Sequence, residues 1–276
     1  MSRLGTLFTL GLFACTDYDL QATQKPEGGG DSDTGEFDPG TDTADTGDTG
    51  DDTGGGRVDT DDPEVATEPI YINSGSTLYS YDPATNVATE IGVFKERGVT
   101  VSSMTDIAID LSGHMYGVAY TELYRITPAT AAVEWLAELD DSQNALTFVS
   151  DGTLVAAGDA GVVTIDLTTY RQSRLGGAKF TSSGDIVGLP DGYLYWSVEG
   201  SGDDMLVQVD PQNGVATELG SIGTYGVYAL GYAYGDLYGF TSGNKSIVID
   251  ATTGRSSSTR RLDGSWWGAT TNPVLW

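Results

Sequence analysis

One cysteine, one histidine, few bases and a single apolar run: each scarcity removes a class of function. With Cys15 alone, no intramolecular disulfide can form, and cysteine-rich metal clusters are excluded. With His114 alone, histidine and cysteine zinc sites lack ligands, and a nucleophilic triad would depend on that one imidazole. It lies beside the Ser112-Gly113 turn signal and reads as a turn-flanking side chain. Lys and Arg number 13 against 40 Asp and Glu, a net charge of −27. A chain so acidic repels phosphate backbones, which argues against DNA or RNA as a partner. The one long apolar run, residues 4–14, falls short of the roughly 20 residues that a bilayer-spanning helix needs.

The acids are unevenly placed. Residues 16–68 carry 17 of them against two bases, Lys25 and Arg57. Within this stretch, Asp42-Thr43-Ala44-Asp45-Thr46-Gly47-Asp48 continues as an Asp/Thr/Gly tract with hardly an apolar side chain. Such a tract cannot bury enough surface to offset the entropy of ordering it, so a disordered linker is expected. A flexible coil of this length averages roughly 40 Å end to end, and like-charge repulsion stretches it. Calcium loops also use spaced aspartates, but they need six to eight oxygens fixed in a ring and closed by a bidentate Glu. That closure is missing here, and a solvated spacer is the preferred reading.

The start of the chain has one basic residue, Arg3, then the apolar run, then Ala14-Cys15, the layout of an export signal. Leu12-Phe13-Ala14-Cys15 resembles the lipobox of bacterial lipoproteins. The resemblance implies cleavage before Cys15, a diacylglycerol on its sulfur and attachment to a membrane. Thr16, where inner-membrane lipoproteins carry aspartate, points to the outer membrane or cell surface of a Gram-negative-type bacterium.

After Pro69 the composition turns to Tyr, Val, Ile, Leu and Gly in short alternating runs. A motif recurs through them: Asp82-Pro83-Ala84-Thr85, Thr127-Pro128-Ala129-Thr130, Asp166-Leu167-Thr168-Thr169, Asp210-Pro211-Gln212-Asn213 and Asp250-Ala251-Thr252-Thr253. The intervals are 45, 39, 44 and 40 residues. Each echo ends one alternating strand, turns the chain and starts another. Further pairs of strands are joined through Ser112-Gly113, Asp151-Gly152, Asp191-Gly192 and Gly235-Asp236. Four strands per unit and a period near forty predict an all-β chain, a β-propeller.

The first unit lacks its small-residue strand and the C-terminus has one to spare, in Trp267-Gly268-Ala269-Thr270-Thr271. Five four-stranded blades closed by the C-terminal strand are therefore expected. A β-sandwich would not produce a constant period. The pattern Leu-Tyr-x-x-Asp-Pro followed by Ala-Thr-x-Ile/Leu-Gly resembles bacterial propeller repeats of the NHL and YVTN type, which implies the fold and leaves the activity open. The expected organisation is a signal peptide at 1–14, lipidated Cys15 with the linker at 15–68, and a propeller at 69–276, the last a monomeric head.

Counting back seven residues from each turn glycine places Asp106, Ala145, Asp185 and Tyr228 at one mouth of the channel, with Asn144 one position out of register. Asp106, Asn144 and Asp185 are the candidate ligands for an all-oxygen metal site, with calcium the candidate cofactor. Asp106 and Asp185 are also the candidate catalytic pair, since glycosidic and lactone chemistry uses paired carboxylates or a metal. Asn144, Tyr228, Trp266 and Trp267 are the candidate binding residues, because Tyr and Trp offer large contact area with a polar tip. The leading expectation is a tethered, non-catalytic module for a protein or glycan partner of the cell envelope. The alternative is a propeller hydrolase, lactonase or glycosidase. In a bacterial host, Cys15→Ser should move the protein from the membrane fraction to the soluble fraction and abolish palmitate labelling. A variant that stays in the membrane would refute the anchor.

Overall fold

The computed structural model describes residues 62–158, 160–177 and 179–275; Cys15, the signal segment and the acidic tract fall outside the described residues. The first blade contains β1 (Ile70–Asn73), β2 (Thr77–Asp82) and β3 (Val87–Val93). A small hairpin, β4 (Lys95–Glu96) and β5 (Val99–Thr100), leads to the second blade, built from β6 (Asp106–Ile109), β7 (Met115–Thr127) and β8 (Ala132–Gln143). The third blade is β9 (Ala145–Phe148), β10 (Leu154–Gly158), β11 (Gly161–Ile165) and β12 (Gln172–Arg174). The fourth is β13 (Ser182–Gly188), β14 (Leu194–Val198), β15 (Met205–Val209) and β16 (Ala216–Ser221). The fifth is β17 (Val227–Ala233), β18 (Asp236–Thr241), β19 (Lys245–Ile249) and β20 (Ser256–Arg261).

The last strand, β21 (Gly268–Thr271), returns to blade one and pairs antiparallel with β1, Asn73 opposite Gly268 and Ile70 opposite Thr271. The order there is β21-β1-β2-β3, so the C-terminal strand takes the innermost place that the first unit leaves open. The strands β6, β9, β13, β17 and β21 each touch the next around a common axis. The fold is a five-bladed β-propeller.

Blade two departs from the others in one respect. Arg125 donates to the Tyr116 hydroxyl at 2.8 Å and stacks over that ring. Nine residues of straight strand would hold the two roughly 30 Å apart, so β7 doubles back. It does so at Tyr120, whose φ is 56°. The two legs of β7 fill the second and third places of the blade, and the β4–β5 hairpin pairs with its outer edge through Lys95 and Ala132.

The recurring Asp motif has one physical job. Asp82, Asp166, Asp210 and Asp250 each turn a carboxylate back onto the N–H two residues on, at 2.7 to 2.9 Å. A fifth residue in left-handed backbone then reverses the chain: Asn86, Ala131, Tyr170, Gly214 and Gly254. The Thr85 hydroxyl holds Asp82 below the ordinary carboxylate range, and backbone N–H groups do the same for Asp166 and Asp250.

Five apolar clusters lie between the blades, one for each interface. The interface that closes the ring, between blades five and one, contains Ile70, Ile72, Tyr81, Phe240, Leu262 and Trp266. Trp266 stands edge-on to Tyr79 at 5.2 Å and donates from its indole N–H to Leu262 O. Polar groups reinforce the rim: Arg260 donates to Pro83 O and Thr85 O, and Asn86 Nδ2 donates to Arg261 O. Ahead of β1, Val65 and Ala66 are buried, with Val65 bridging His114. Trp266→Ala removes the largest side chain of the closing interface and should cost about 3–5 kcal/mol, read as a lower urea midpoint at unchanged slope.

Candidate functional site

Each inner strand of blades two to five begins at the same end of the channel, and the residues just before and at those starts form a broad mouth of about 570 Å³. Two irregularities open it. The inner strands β13 and β17 carry bulges, between Ser182 and Ile186 and between Val227 and Ala229. A bulge re-aims a side chain that regular pairing would point elsewhere, and Tyr228 is the extra residue of the second one. The two bulged strands touch through backbone: a Cβ on Gly184 would sit 2.7 Å from Tyr228 O and closer still to its Cα. Only glycine allows this approach.

The rim is aromatic and acidic. Tyr225 is 73% exposed, Tyr120 47% and Tyr228 37%, and Trp267 reaches the same space half-buried. Glu199 stands at the rim, and Asn144 lines the wall with a buried Oδ1 that has no hydrogen-bond partner. Asp204 is buried, accepting from the Ser183 hydroxyl and from Val227 N, both at 2.7 Å, which ties the loop of blade four to the start of β17. Burial raises its carboxyl above the usual range. Among the described residues, no Lys, Arg or His lines the mouth.

Asp106 and Asp185 lie beneath this mouth, both wholly buried. Asp106 accepts from Ile107 N at 2.7 Å and, across the blade boundary, from Leu146 N at 2.6 Å. Asp185 accepts from Leu230 N at 2.5 Å in blade five and from Ala269 N at 3.2 Å in blade one. The two carboxyls interact with each other. Burial, then the charge of Asp185, pushes Asp106 well above the carboxylate range. Burial pushes Asp185 up to about 8, offset by its hydrogen bonds to Asp106 and to backbone N–H groups. The pair therefore holds a proton near neutrality.

The sequence-derived candidates thus separate into layers. Asn144, Tyr228 and Trp267 share the mouth, Asp106 and Asp185 meet below it, and Trp266 faces away into the closing core. Tyr120, Glu199 and Asp204 join the mouth unannounced, because they lie on loops and turns that strand periodicity does not address. His114 sits at the opposite end of β6, its Nδ1 3.3 Å from Asp110 Oδ2. Among the described residues, no three His, Cys, Asp or Glu side chains converge as a metal cluster.

No protein-family description matches the chain, and no curated protein resembles it in sequence. Solved structures resemble it in fold. A chain of the nidogen/laminin complex aligns with a TM-score of 0.52 at 12% identity, over 75% of this chain and 98% of that one. Hydrazine synthase of Kuenenia stuttgartiensis aligns with a TM-score of 0.43 at 16% identity over 58% of this chain, which spans about half (49%) of that chain. A protein of unknown function from Bacteroides caccae gives 0.42 at 11% identity, over 70% and 72%. Identities this low speak to the fold alone.

The buried pair makes stability depend on pH with a definite sign. The folded chain keeps a proton that the unfolded chain releases above its ordinary value of 3.8. Stability from this source is fully present below that value, declines as pH rises toward about 8, and levels off beyond it. In chelator, the melting temperature of the wild type should fall more steeply over this window than that of Asp185→Asn. Parallel profiles would show that the pair holds no proton.

Proposed function

We propose that the protein is a membrane-tethered, extracytoplasmic binding module whose propeller holds a neutral glycan at the channel mouth. The observation that carries this reading is the chemistry of the rim. Tyr120, Tyr225, Tyr228 and Trp267 surround amide and carboxylate acceptors, with no cation among the described residues that line the mouth. Sugar rings offer apolar C–H faces to aromatic side chains and hydroxyl donors to acceptors such as the Asn144 Oδ1 and Glu199. An anionic ligand would meet only like charge there. The acidic tract behind Cys15 would keep such a head away from the membrane and from anionic surfaces.

The same geometry favours binding over hydrolysis. Asp106 and Asp185 are wholly buried, with their oxygens committed to backbone N–H groups of neighbouring blades. A general acid must come within hydrogen-bond reach of the leaving oxygen, and these two are covered. Propeller mouths also receive proteins, and the nidogen/laminin structure is a complex between proteins; exposed Tyr225 would suit an apolar anchor equally well.

A glycan array probed with the full chain tests the reading. Binding to neutral glycans should weaken about tenfold or more in Tyr225→Ala and in Trp267→Ala, since each lost aromatic platform is worth on the order of 1–3 kcal/mol. Tyr225 is so exposed that its replacement should leave the melting temperature unchanged. A silent array, with an envelope protein captured instead and lost in the same variants, would replace the glycan by a protein partner.

A further inference from the structure

Side-chain oxygens of Asn73, Asp106 and Asp185 are gathered beneath the mouth, Asp106 adjoining each of the other two. The first belongs to Asn73 at the end of β1, which is wholly buried. Its Nδ2 donates to Ser74 O and Met104 O, both at 3.0 Å. Those two carbonyls fix which way the amide points, because a flipped amide would set oxygen against oxygen twice. Asn73 Oδ1 is therefore turned inward, where it has no hydrogen-bond partner. The second is Asp106 Oδ1, which accepts from Ile107 N at 2.7 Å and, as a carboxylate oxygen, has a further lone pair. Both oxygens crowd the same spot on the closing strand, since a Cβ on Gly268 would lie 2.7 Å from Asn73 Oδ1 and nearer still to Asp106 Oδ1. The third is Asp185 Oδ1, buried and without a partner, on a carboxyl whose other oxygen accepts from Ala269 N next to Gly268.

A buried acceptor left without a donor costs roughly 1–3 kcal/mol, and more when it is charged. Asn73 Oδ1 and Asp185 Oδ1 are two such atoms, each on a side chain that adjoins Asp106, and folds rarely keep such atoms unless something satisfies them. We propose that Asn73, Asp106 and Asp185 form a buried calcium site on the channel axis, closed on one side by the bare backbone of Gly268. Two carboxylates and one amide oxygen are hard donors of the type calcium takes, and once the ion displaces the proton that the pair holds, their charge of −2 matches a divalent ion. No thiol or imidazole competes, which disfavours zinc and copper. Calcium accepts an irregular ring of six to eight oxygens, whereas magnesium demands a near-ideal octahedron. The remaining ligands would be waters, supplied from the mouth directly above. An ion here would bridge blades one, two and four, and its binding energy would appear as stability of the closed ring. The inference is independent of the glycan reading, which concerns the rim and not this floor.

The test uses the full chain stripped with chelator, then titrated with calcium chloride or magnesium chloride while melting is followed. The acidic tract would take up divalent ions loosely and without saturation, so the decisive signal is a saturable rise in melting temperature. Calcium should produce it and magnesium at equal concentration should not. Asp185→Asn and Asp106→Asn should each weaken the response by at least about tenfold, while any loose uptake by the tract persists. If either variant fails to fold, terbium serves in the wild type. Excited at the red edge of tryptophan absorption, a site beside Trp267 gives sensitised emission that calcium displaces; residues 16–68 contain no tryptophan. No saturable calcium response in the wild type, an equal response to magnesium, or full retention of the response in folded variants would each overturn the proposal.

Discussion

Among the described residues adjacent blades share no β-ladder along the axis, and at four of the five boundaries what sets one blade against the next is a side-chain oxygen that accepts a backbone N–H across the gap. Asp106 does this from blade two to Leu146 of blade three, and Thr147 from blade three to Gly188 of blade four. Asp185 reaches from blade four to Leu230 of blade five, and Thr271 from the closing strand to Tyr232. Asn73 completes the circuit in the other sense, donating from blade one to Met104 O just ahead of blade two. The apolar wedges between blades are non-directional and tolerate sliding. These bonds do not, so they determine how the strands register around the channel and hence where the mouth residues stand.

Ring closure depends on the same device. Asp185 accepts from Ala269 as well as Leu230 and so joins three blades through one carboxyl. That role explains why two acids are tolerated where water is excluded. A buried carboxylate is costly, but each of these takes backbone donors that would otherwise be left unsatisfied at the strand starts, and the shared proton removes one charge from the pair. The chain accepts an acidic floor because that floor is also the fastening of the ring.

Much of the architecture was legible because it rests on local rules. The turn with a left-handed fifth residue recurs at five places, opened by Asp at four and by Thr127 at the other, and its spacing gives the blade count whatever fills the core. The missing inner strand of blade one and the spare C-terminal strand likewise follow from counting. The site was legible only in part. Counting back from the turn glycines found Asp106 and Asp185 because β6 keeps its register from turn to carboxylate and β13 keeps it as far as Ile186, the residue next to Asp185. It found Tyr228 too, although the bulge in β17 turns that residue onto the rim instead of the floor. Trp266 and Trp267 are neighbours with opposite fates, one in the closing core and one at the mouth; alternation separates them without saying which faces which way. Asn73 stayed hidden because it sits on the second strand of its blade and reaches the axis only past Gly268, where the inner strand has no side chain.

Rim and floor thus answer to different constraints on the same five strands. At the floor, Asp106, Asp185 and the glycine at 268 are fixed by contacts to neighbouring backbone, and a change there acts on the whole ring. One residue earlier along four of these strands, at Thr105, Asn144, Gly184 and Trp267, the chain emerges into the mouth. Beyond them the loops carry Tyr225 and Glu199, exposed side chains that no blade needs for closure. Recognition can therefore be varied on the rim without touching the fastening beneath it. That separation is why a ring held by such exacting bonds can present so irregular a face, and why the acidic floor is better understood as part of the frame than as part of the face.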